Sequence, residues 1–174
     1  HTLMFDAIPS RYAALKSQSP LALYFAMARG LQKDGVDVVA CEMTKWFDTN
    51  YHYLVPEFSD ASSFKLAHNL PLEAYNEARA LGYNTRPVVI GPISYLLLGK
   101  MKGGKSALSL LPKLLPVYVE LLASLKAAGA EWIQIDEPHL ALDLSDEAKA
   151  AYKTAYVELN KSGLKLMLTT YFAG

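Results

Sequence analysis

The sequence predicts an α/β protein in which parallel strands alternate with helices. Four short apolar runs have the length and composition of strands that are buried on both faces. Helical segments with recognisable start and stop residues lie between these runs. The order is one helix followed by β-α-β-α-β-α-β, which is typical of parallel strands joined by helical crossovers.

Each predicted element has a local reason. The predicted strands are residues 36–41, 87–91, 132–136 and 164–170. Each predicted helix begins at a capping serine or a proline and stops near a glycine. The predicted helices are 21–29 after Ser19 and Pro20, 72–81 after Pro71, 117–128 after Pro116, and 148–159 after Ser145.

Two architectures fit this order of elements, an open doubly wound sheet or part of a (β/α)8 barrel. A full barrel takes about 250 residues, whereas the chain has 174. Four strands would therefore make half a barrel. The chain begins at His1 rather than at methionine, and it ends directly after a strand-like run. We therefore expect a piece of a larger barrel.

The composition restricts the class of protein. With 52% hydrophobic and 20% charged residues, the chain is not a disordered one. Its 17 basic and 17 acidic residues cancel, so general nucleic-acid binding is not expected. The single Cys41 excludes an internal disulfide and a zinc site made of several cysteines. We find no signal peptide and no apolar run of the roughly 20 residues that cross a membrane, and we expect a cytoplasmic protein.

The most unusual segment, residues 42–53, follows the first predicted strand. It combines four aromatic side chains with polar ones, namely Glu42, Lys45, Asp48, Asn50 and His52. Lysine supplies a positive charge, asparagine supplies donors and acceptors, and aromatic rings supply flat walls. Since chemistry gathers at the carboxyl ends of parallel strands, the segment predicts a site for a small anionic ligand with a planar or extended part. The alternative is a loop whose rings fill the barrel mouth and whose charges are solvated.

Asp136 and Glu137 follow the third predicted strand. Adjacent carboxylates at this position suit acid–base or metal chemistry. In the structural alternative, one carboxylate accepts hydrogen bonds from amides of a neighbouring loop and the other is exposed. Gly91 and Pro92 are typical of a tight strand-to-helix turn. No pair of histidines has metal-ligand spacing, so we predict no metal site in the chain, and Cys41 is predicted to be a small buried residue.

Residues 99–106, GKMKGGKS, match the phosphate-loop pattern G-x-x-x-x-G-K-[ST] from Gly99 to Ser106. With Asp136 and Glu137 at a magnesium-binding strand end, they would indicate a nucleotide triphosphatase. Against this function, Pro112 and Pro116 interrupt the helix that such a loop needs directly after it. The triphosphatase is kept as an alternative.

Five segments resemble the N-terminal half of cobalamin-independent methionine synthase and occur in that family's order. They are EMTKWFDTNYHYLVPE at 42–57, RPVVIGP at 86–92, YLLLGK at 95–100, WIQIDEP at 132–138 and LTTYF at 168–172. The first is long and unusual, and the five are spread across nearly the whole chain.

The resemblance implies two face-to-face (β/α)8 barrels, of which residues 1–174 are a central portion of the first. The upstream segment and the catalytic C-terminal barrel are then absent from the chain. It implies transfer of a methyl group from 5-methyltetrahydrofolate polyglutamate to homocysteine, which gives methionine. It also implies no cobalamin and a zinc ion whose Cys, His and Glu ligands lie in the C-terminal barrel, together with the homocysteine. We therefore expect the fragment alone to be inactive and to carry no catalytic residue.

In the family, the lysine and the asparagine matched here by Lys45 and Asn50 contact the folate polyglutamate. The resemblance thus implies that this part of the enzyme docks the folate tail and scaffolds the catalytic barrel. The expected supporting residues, which orient Lys45 or shape the domain interface, are Glu42, Asp48, Asp136 and Glu137. A purely structural half barrel is the remaining alternative.

Overall fold

A computed structural model, which describes residues 1–172, shows a mixed α/β fold. The α-helices are α1 (Pro20–Arg29), α2 (Leu70–Ala80), α3 (Pro92–Leu97), α4 (Leu111–Ala127) and α5 (Asp146–Leu159). The strands are β1 (Leu31–Lys33), β2 (Val36–Val38), β3 (Met43–Lys45), β4 (His52–Leu54), β5 (Glu57–Ser59), β6 (Val88–Ile90), β7 (Lys100–Lys102), β8 (Trp132–Asp136) and β9 (Lys165–Thr169). Short 3₁₀ helices occupy Ser10–Leu15, Ala107–Leu110, Pro138–Ala141 and Asn160–Ser162.

The central sheet consists of β6, β8 and β9, which are parallel and lie in that order. The register sets Val89 beside Ile135, so both side chains leave the same face of the sheet. These two residues and Ile133 are buried in one core with the apolar faces of α3, α4 and α5. The strands predicted at 87–91, 132–136 and 164–170 are therefore confirmed, with their helices on one side of the sheet.

The first predicted strand, residues 36–41, is confirmed only at Val36–Val38, and its place as a buried strand of the parallel sheet is wrong. β1 and β2 instead form an antiparallel hairpin in which Gln32 lies opposite Asp37. Asp34 (φ 52°) and Gly35 (φ 78°) make its two-residue turn, because both positions need the left-handed conformation that this dipeptide adopts readily. The apolar run is largely at the surface, and Val39 is 71% exposed.

A second parallel pair, β5 with β7, is too short to be recognised in the sequence. β3 and β4 form another antiparallel hairpin. Among residues 1–172 the strands thus belong to four separate sheets, and no closed barrel is present in this part of the chain.

Helix starts follow capping chemistry more closely than proline positions. α1 and α5 begin as predicted, since the hydroxyls of Ser19 and Ser145 each accept a hydrogen bond from a first-turn amide at 3.2 Å. α2 begins at Leu70, slightly before the predicted start, because the side chain of Asn69 caps it.

α4 begins at Leu111, so the predicted start after Pro116 is wrong. Pro116 lies inside the helix, where it removes one backbone donor in the second turn. α4 stays packed against the core on both sides of Pro116, since Leu114 and Val117 are both buried. With the preceding 3₁₀ turn, Ala107–Ala127 forms 21 helical residues that are long and apolar enough to cross a membrane. The prediction that no such run exists is therefore wrong, although half of its most apolar window is buried inside the protein.

A second, smaller core lies under the N-terminal turn and α1. Its buried members are Tyr12, Leu15, Leu23, Ala26, Met27 and Cys41. Cys41 is free and buried, as predicted. Leu54 of β4 packs against this core, which ties the β3–β4 hairpin to it.

Candidate functional site

The β3–β4 hairpin carries both predicted ligand-binding residues. Lys45 is the last residue of β3, and Asn50 lies in the turn that leads to β4. The turn is held by a hydrogen bond from the Trp46 amide to the Tyr51 carbonyl at 2.7 Å and by one from the Thr49 hydroxyl to the Trp46 carbonyl at 2.6 Å. This closed turn presents Lys45 and Asn50 on one short element, and both side chains are exposed.

Lys45 forms no ion pair with any carboxylate in the described part of the chain. Glu42, an expected supporting residue, pairs instead with Lys100 at 2.6 Å. Asp48 lies in the same turn and is exposed. The positive charge of Lys45 is therefore available to an external anion.

The tip of the hairpin meets the carboxyl ends of two central strands. The ring of Phe47 stacks on Phe172, just beyond β9, at a centroid distance of 4.9 Å. It also makes an edge contact with His139, beyond β8, at 5.4 Å. The tip of the β3–β4 hairpin thus meets the ends of β8 and β9, although the strand before it, β2, belongs to an antiparallel hairpin.

Asp136 lies at this convergence. Its carboxylate accepts a hydrogen bond from the side-chain Nε2 of Gln134 at 2.8 Å. Burial, with the nearby Asp136 carboxylate as a second cause, raises the pKa of the Tyr171 phenol to about 12. Asp136 and Tyr171 therefore lie close to each other where β8 and β9 end, and Asp136 forms no ion pair with Lys45.

Glu137 has a structural role, as the structural alternative for the adjacent acids predicts. Its side chain is fully buried. It accepts hydrogen bonds from the amides of Ile93 and Ser94, at 3.3 and 2.7 Å, in the first turn of α3. It also accepts bonds from the hydroxyls of Tyr152 and Tyr156, at 3.2 and 3.0 Å. Burial raises the pKa of Glu137, and the hydrogen bonds oppose that rise.

Gly91 is the residue that lets Glu137 approach α3. A Cβ at this position would lie 2.1 Å from Glu137 Oε1, which is far inside contact distance. Gly91 precedes α3 and Pro92 is its first residue. The predicted tight strand-to-helix turn is confirmed, and its glycine serves the buried carboxylate.

A cavity of about 420 Å³ lies beside the hairpin. Its walls are mainly aromatic and apolar, and they include Trp46, His52, Tyr53 and Tyr95. His1 also lines it, with Nε2 accepting a hydrogen bond from the Ile90 amide of β6 at 3.0 Å. No sequence pattern connects His1 or Tyr95 to residues 42–53, since each is more than 40 positions away. Lys45 and Asn50 are not among the residues that line the cavity.

Arg11 and Glu57 form a partly buried ion pair behind the hairpin. Both guanidinium Nη atoms donate to the carboxylate, at 2.7 and 2.6 Å. The bidentate contact with Arg11 lowers the pKa of Glu57. Arg11 Nη2 also lies 3.4 Å from Cys41 Sγ. The pair therefore joins the small N-terminal core to β5, next to the end of the hairpin segment.

Residues 99–106 do not have the geometry of a phosphate loop. β7 lies inside the pattern, whereas a phosphate loop follows its strand. Lys105 pairs with Asp60 at 2.9 Å. Ser106 caps a 3₁₀ turn rather than an α-helix. The buried Glu137 is occupied by its four donors, so the nucleotide triphosphatase finds no support here.

Residues 1–172 hold no cluster of three or more His, Cys, Asp or Glu side chains that could bind a metal ion. The zinc that the resemblance implies therefore does not fit this part of the chain.

The family model described as "Cobalamin-independent synthase, N-terminal domain" matches residues 1–174. The chain belongs to this family. The resemblance of residues 42–57 and the four later segments is thereby confirmed.

Curated relatives of this synthase domain are named 5-methyltetrahydropteroyltriglutamate–homocysteine methyltransferase. The protein of Xylella fastidiosa (strain 9a5c) is 57% identical over 170 residues, which cover 97% of this chain and 22% of the relative. That of Flavobacterium johnsoniae is 54% identical over 175 residues, covering 98% and 23%. That of Rhodopseudomonas palustris (strain ATCC BAA-98 / CGA009) is 51% identical over 192 residues, covering 99% and 24%. The chain thus spans about a quarter of the length of the curated relatives it matches.

Proposed function

We propose that this chain is the folate-tail docking part of a cobalamin-independent methionine synthase. The full-length enzyme transfers a methyl group from 5-methyltetrahydrofolate polyglutamate to homocysteine, and methionine is the product. Membership of the synthase family and the names of the relatives support this activity. Soluble substrates of this kind fit a cytoplasmic enzyme.

The unpaired charge of Lys45 is the observation that carries the docking role. A polyglutamate tail is a chain of carboxylates, and each carboxylate favours a cation and amide donors. Lys45 supplies the cation, and Asn50 supplies an amide on the same hairpin. The tail would run along the exposed side of the hairpin, above the converging ends of β8 and β9.

Residues 1–174 form, in this proposal, a central portion of the N-terminal barrel, of which residues 173 and 174 lie outside the described structure. Two features support a larger barrel. β6 and β9 each pair on one side only within residues 1–172, so further strands have edges to join. The sheet face opposite α3–α5 is partly open, with Val88 50% exposed. The chain would also scaffold a second barrel that holds homocysteine.

The methyl transfer itself is assigned to no residue of this chain. Zinc, when bound in the full-length enzyme, would activate the homocysteine sulfur as a thiolate. Since the described residues do not fit zinc, this chain contributes binding and orientation. Among the expected supporting residues, Glu42 and Glu137 are engaged with Lys100 and α3, and their influence on the site would be indirect.

The test is Lys45→Ala in the full-length enzyme, assayed with the triglutamate folate. An exposed charge contact contributes up to about 1 kcal/mol, so KM is expected to rise about 5-fold with kcat unchanged. Lys33→Ala removes an exposed lysine from the other hairpin and is the matched control. An unchanged KM for Lys45→Ala would refute the docking role.

The purely structural alternative makes a different prediction. Under it, replacing Lys45 and Asn50 together with alanine leaves the KM for every folate form unchanged. The docking proposal expects the double variant to have a higher KM than Lys45→Ala alone.

A further inference from the structure

The register of the β3–β4 hairpin places a histidine directly opposite Lys45. Lys45 pairs with His52, Thr44 pairs with Tyr53, and Met43 pairs with Leu54. Directly opposed residues leave the same face of an antiparallel pair, with Cβ atoms about 4.5–5.5 Å apart. Lys45 and His52 therefore lie side by side, and both are exposed.

Neither residue of this opposed pair is in an ion pair in the part of the chain that the structure describes. His52, like Lys45, has no carboxylate partner within residues 1–172. Glu42 is turned to Lys100, and Asp48 is exposed in the turn. The lysine ammonium and the imidazole N–H can therefore both donate hydrogen bonds to one carboxylate of a ligand.

His52 differs from Lys45 in one respect, because it also lines the 420 Å³ cavity with Trp46 and Tyr53. The imidazole thus stands between the exposed cation and an aromatic wall. A ligand carboxylate bound by both residues would place the neighbouring part of that ligand at the mouth of the cavity.

We infer that His52 is a second binding residue for the acidic tail and that it shares one tail carboxylate with Lys45. This inference rests on the proposed function, since it concerns the same tail. It assigns to His52 part of the preference for folates with several glutamates over folates with one. The role is in binding, so it changes KM rather than kcat.

The experiment uses the full-length enzyme and compares His52→Gln, His52→Arg and Lys45→Ala. KM and kcat are measured with monoglutamate and triglutamate 5-methyltetrahydrofolate. His52→Gln keeps a polar side chain but loses the ability to carry charge. It is expected to raise the triglutamate KM about 3-fold, with a smaller rise for the monoglutamate and an unchanged kcat. His68→Gln, at an exposed histidine on the segment before α2, is the matched control and should leave both values unchanged.

The outcomes separate the two hypotheses. If Lys45→Ala raises the triglutamate KM and His52→Gln does not, the role of His52 is wrong while the docking role of the hairpin stands. If neither variant changes KM, the proposed function itself fails. A lower kcat with unchanged KM in His52→Gln indicates a structural role and overturns the inference. His52→Arg, which carries a permanent charge, is expected to give a triglutamate KM at or below that of the wild type, and a raised KM would also overturn it.

Discussion

Replacing Glu137 with glutamine tests whether the buried carboxylate holds the start of α3. Oε1 accepts from the Ile93 amide and the Tyr156 hydroxyl, and Oε2 accepts from the Ser94 amide and the Tyr152 hydroxyl. A glutamine has the same shape but only one oxygen. Its NH₂ group must therefore face one of the two backbone amides, and two donors cannot pair.

The shorter bond decides which amide loses its partner. Ser94 lies 2.7 Å from the carboxylate and Ile93 lies 3.3 Å away, so the glutamine oxygen should keep Ser94. The Tyr156 hydroxyl can rotate and accept from the NH₂ group, whereas the Ile93 amide cannot. A buried amide without a partner costs about 1–3 kcal/mol. At about 1.4 kcal/mol for each factor of ten, local opening becomes about 5- to 140-fold more frequent.

Hydrogen exchange in the full-length protein measures this effect at the residues concerned. The amide of Ile93 is expected to exchange faster in Glu137→Gln than in the wild type, while the amides of β8 keep their protection. Glu120→Gln, at an exposed glutamate on α4, is the control. Equal protection of Ile93 in the wild type and in Glu137→Gln would show that the carboxylate does not hold α3.

The remaining predictions concern Gly91 beside Glu137, and the pH dependence of stability at Glu137 and Glu57. Gly91→Ala places a Cβ 2.1 Å from Glu137 Oε1 and should destabilise the protein by about 1–3 kcal/mol. The control is Gly104→Ala, which has no atom within 4 Å of the added Cβ and should leave the melting temperature unchanged. Equal melting temperatures for the two variants would contradict the prediction. The pKa of Glu137 is raised above its ordinary value of 4.5, so the stability that Glu137 contributes falls as the pH rises above 4.5. The pKa of Glu57 is lowered below the same ordinary value, so the stability that Glu57 contributes falls as the pH drops below 4.5. When melting temperature is measured against pH, Glu137→Gln should lose a decline above pH 4.5 and Glu57→Gln should lose a decline below pH 4.5. Variant curves that run parallel to the wild-type curve would refute the assignment.

The sequence predicts the central sheet well because its strands obey a local rule. Residues 87–91, 132–136 and 164–170 are short and mainly apolar, and strands of a buried parallel sheet need this pattern. Residues 36–41 are similarly apolar, but their first three residues form one strand of an antiparallel hairpin. Asp34 and Gly35 are the signal that distinguishes the two cases, because their turn brings β2 back onto β1 before any crossover can form.

The site is only partly predictable for a physical reason. Lys45 and Asn50 stand out because their types and positions already suit an anion. His52 gains its significance from the β3–β4 register, and His1 gains its position from packing against β6. Neither contact is encoded by spacing along the chain. The structural role of Glu137 depends likewise on Gly91 and on two tyrosines of α5, which only the folded chain brings together.

The two separate cores differ in size, and we expect each of them to open as its own unit. The small core under α1 contains few large side chains, so it should open at a lower free energy than the sheet and its helices. Leu54 belongs to the edge of the small core, and the hairpin tip rests on residues beyond β8 and β9. The β3–β4 hairpin therefore contacts both the small core, which opens at the lower free energy, and residues beyond the strands of the parallel sheet. Opening of the small core would free the Leu54 end of the hairpin while the parallel sheet stayed folded. The positions of Lys45 and Asn50 would then depend on whether the small core is closed.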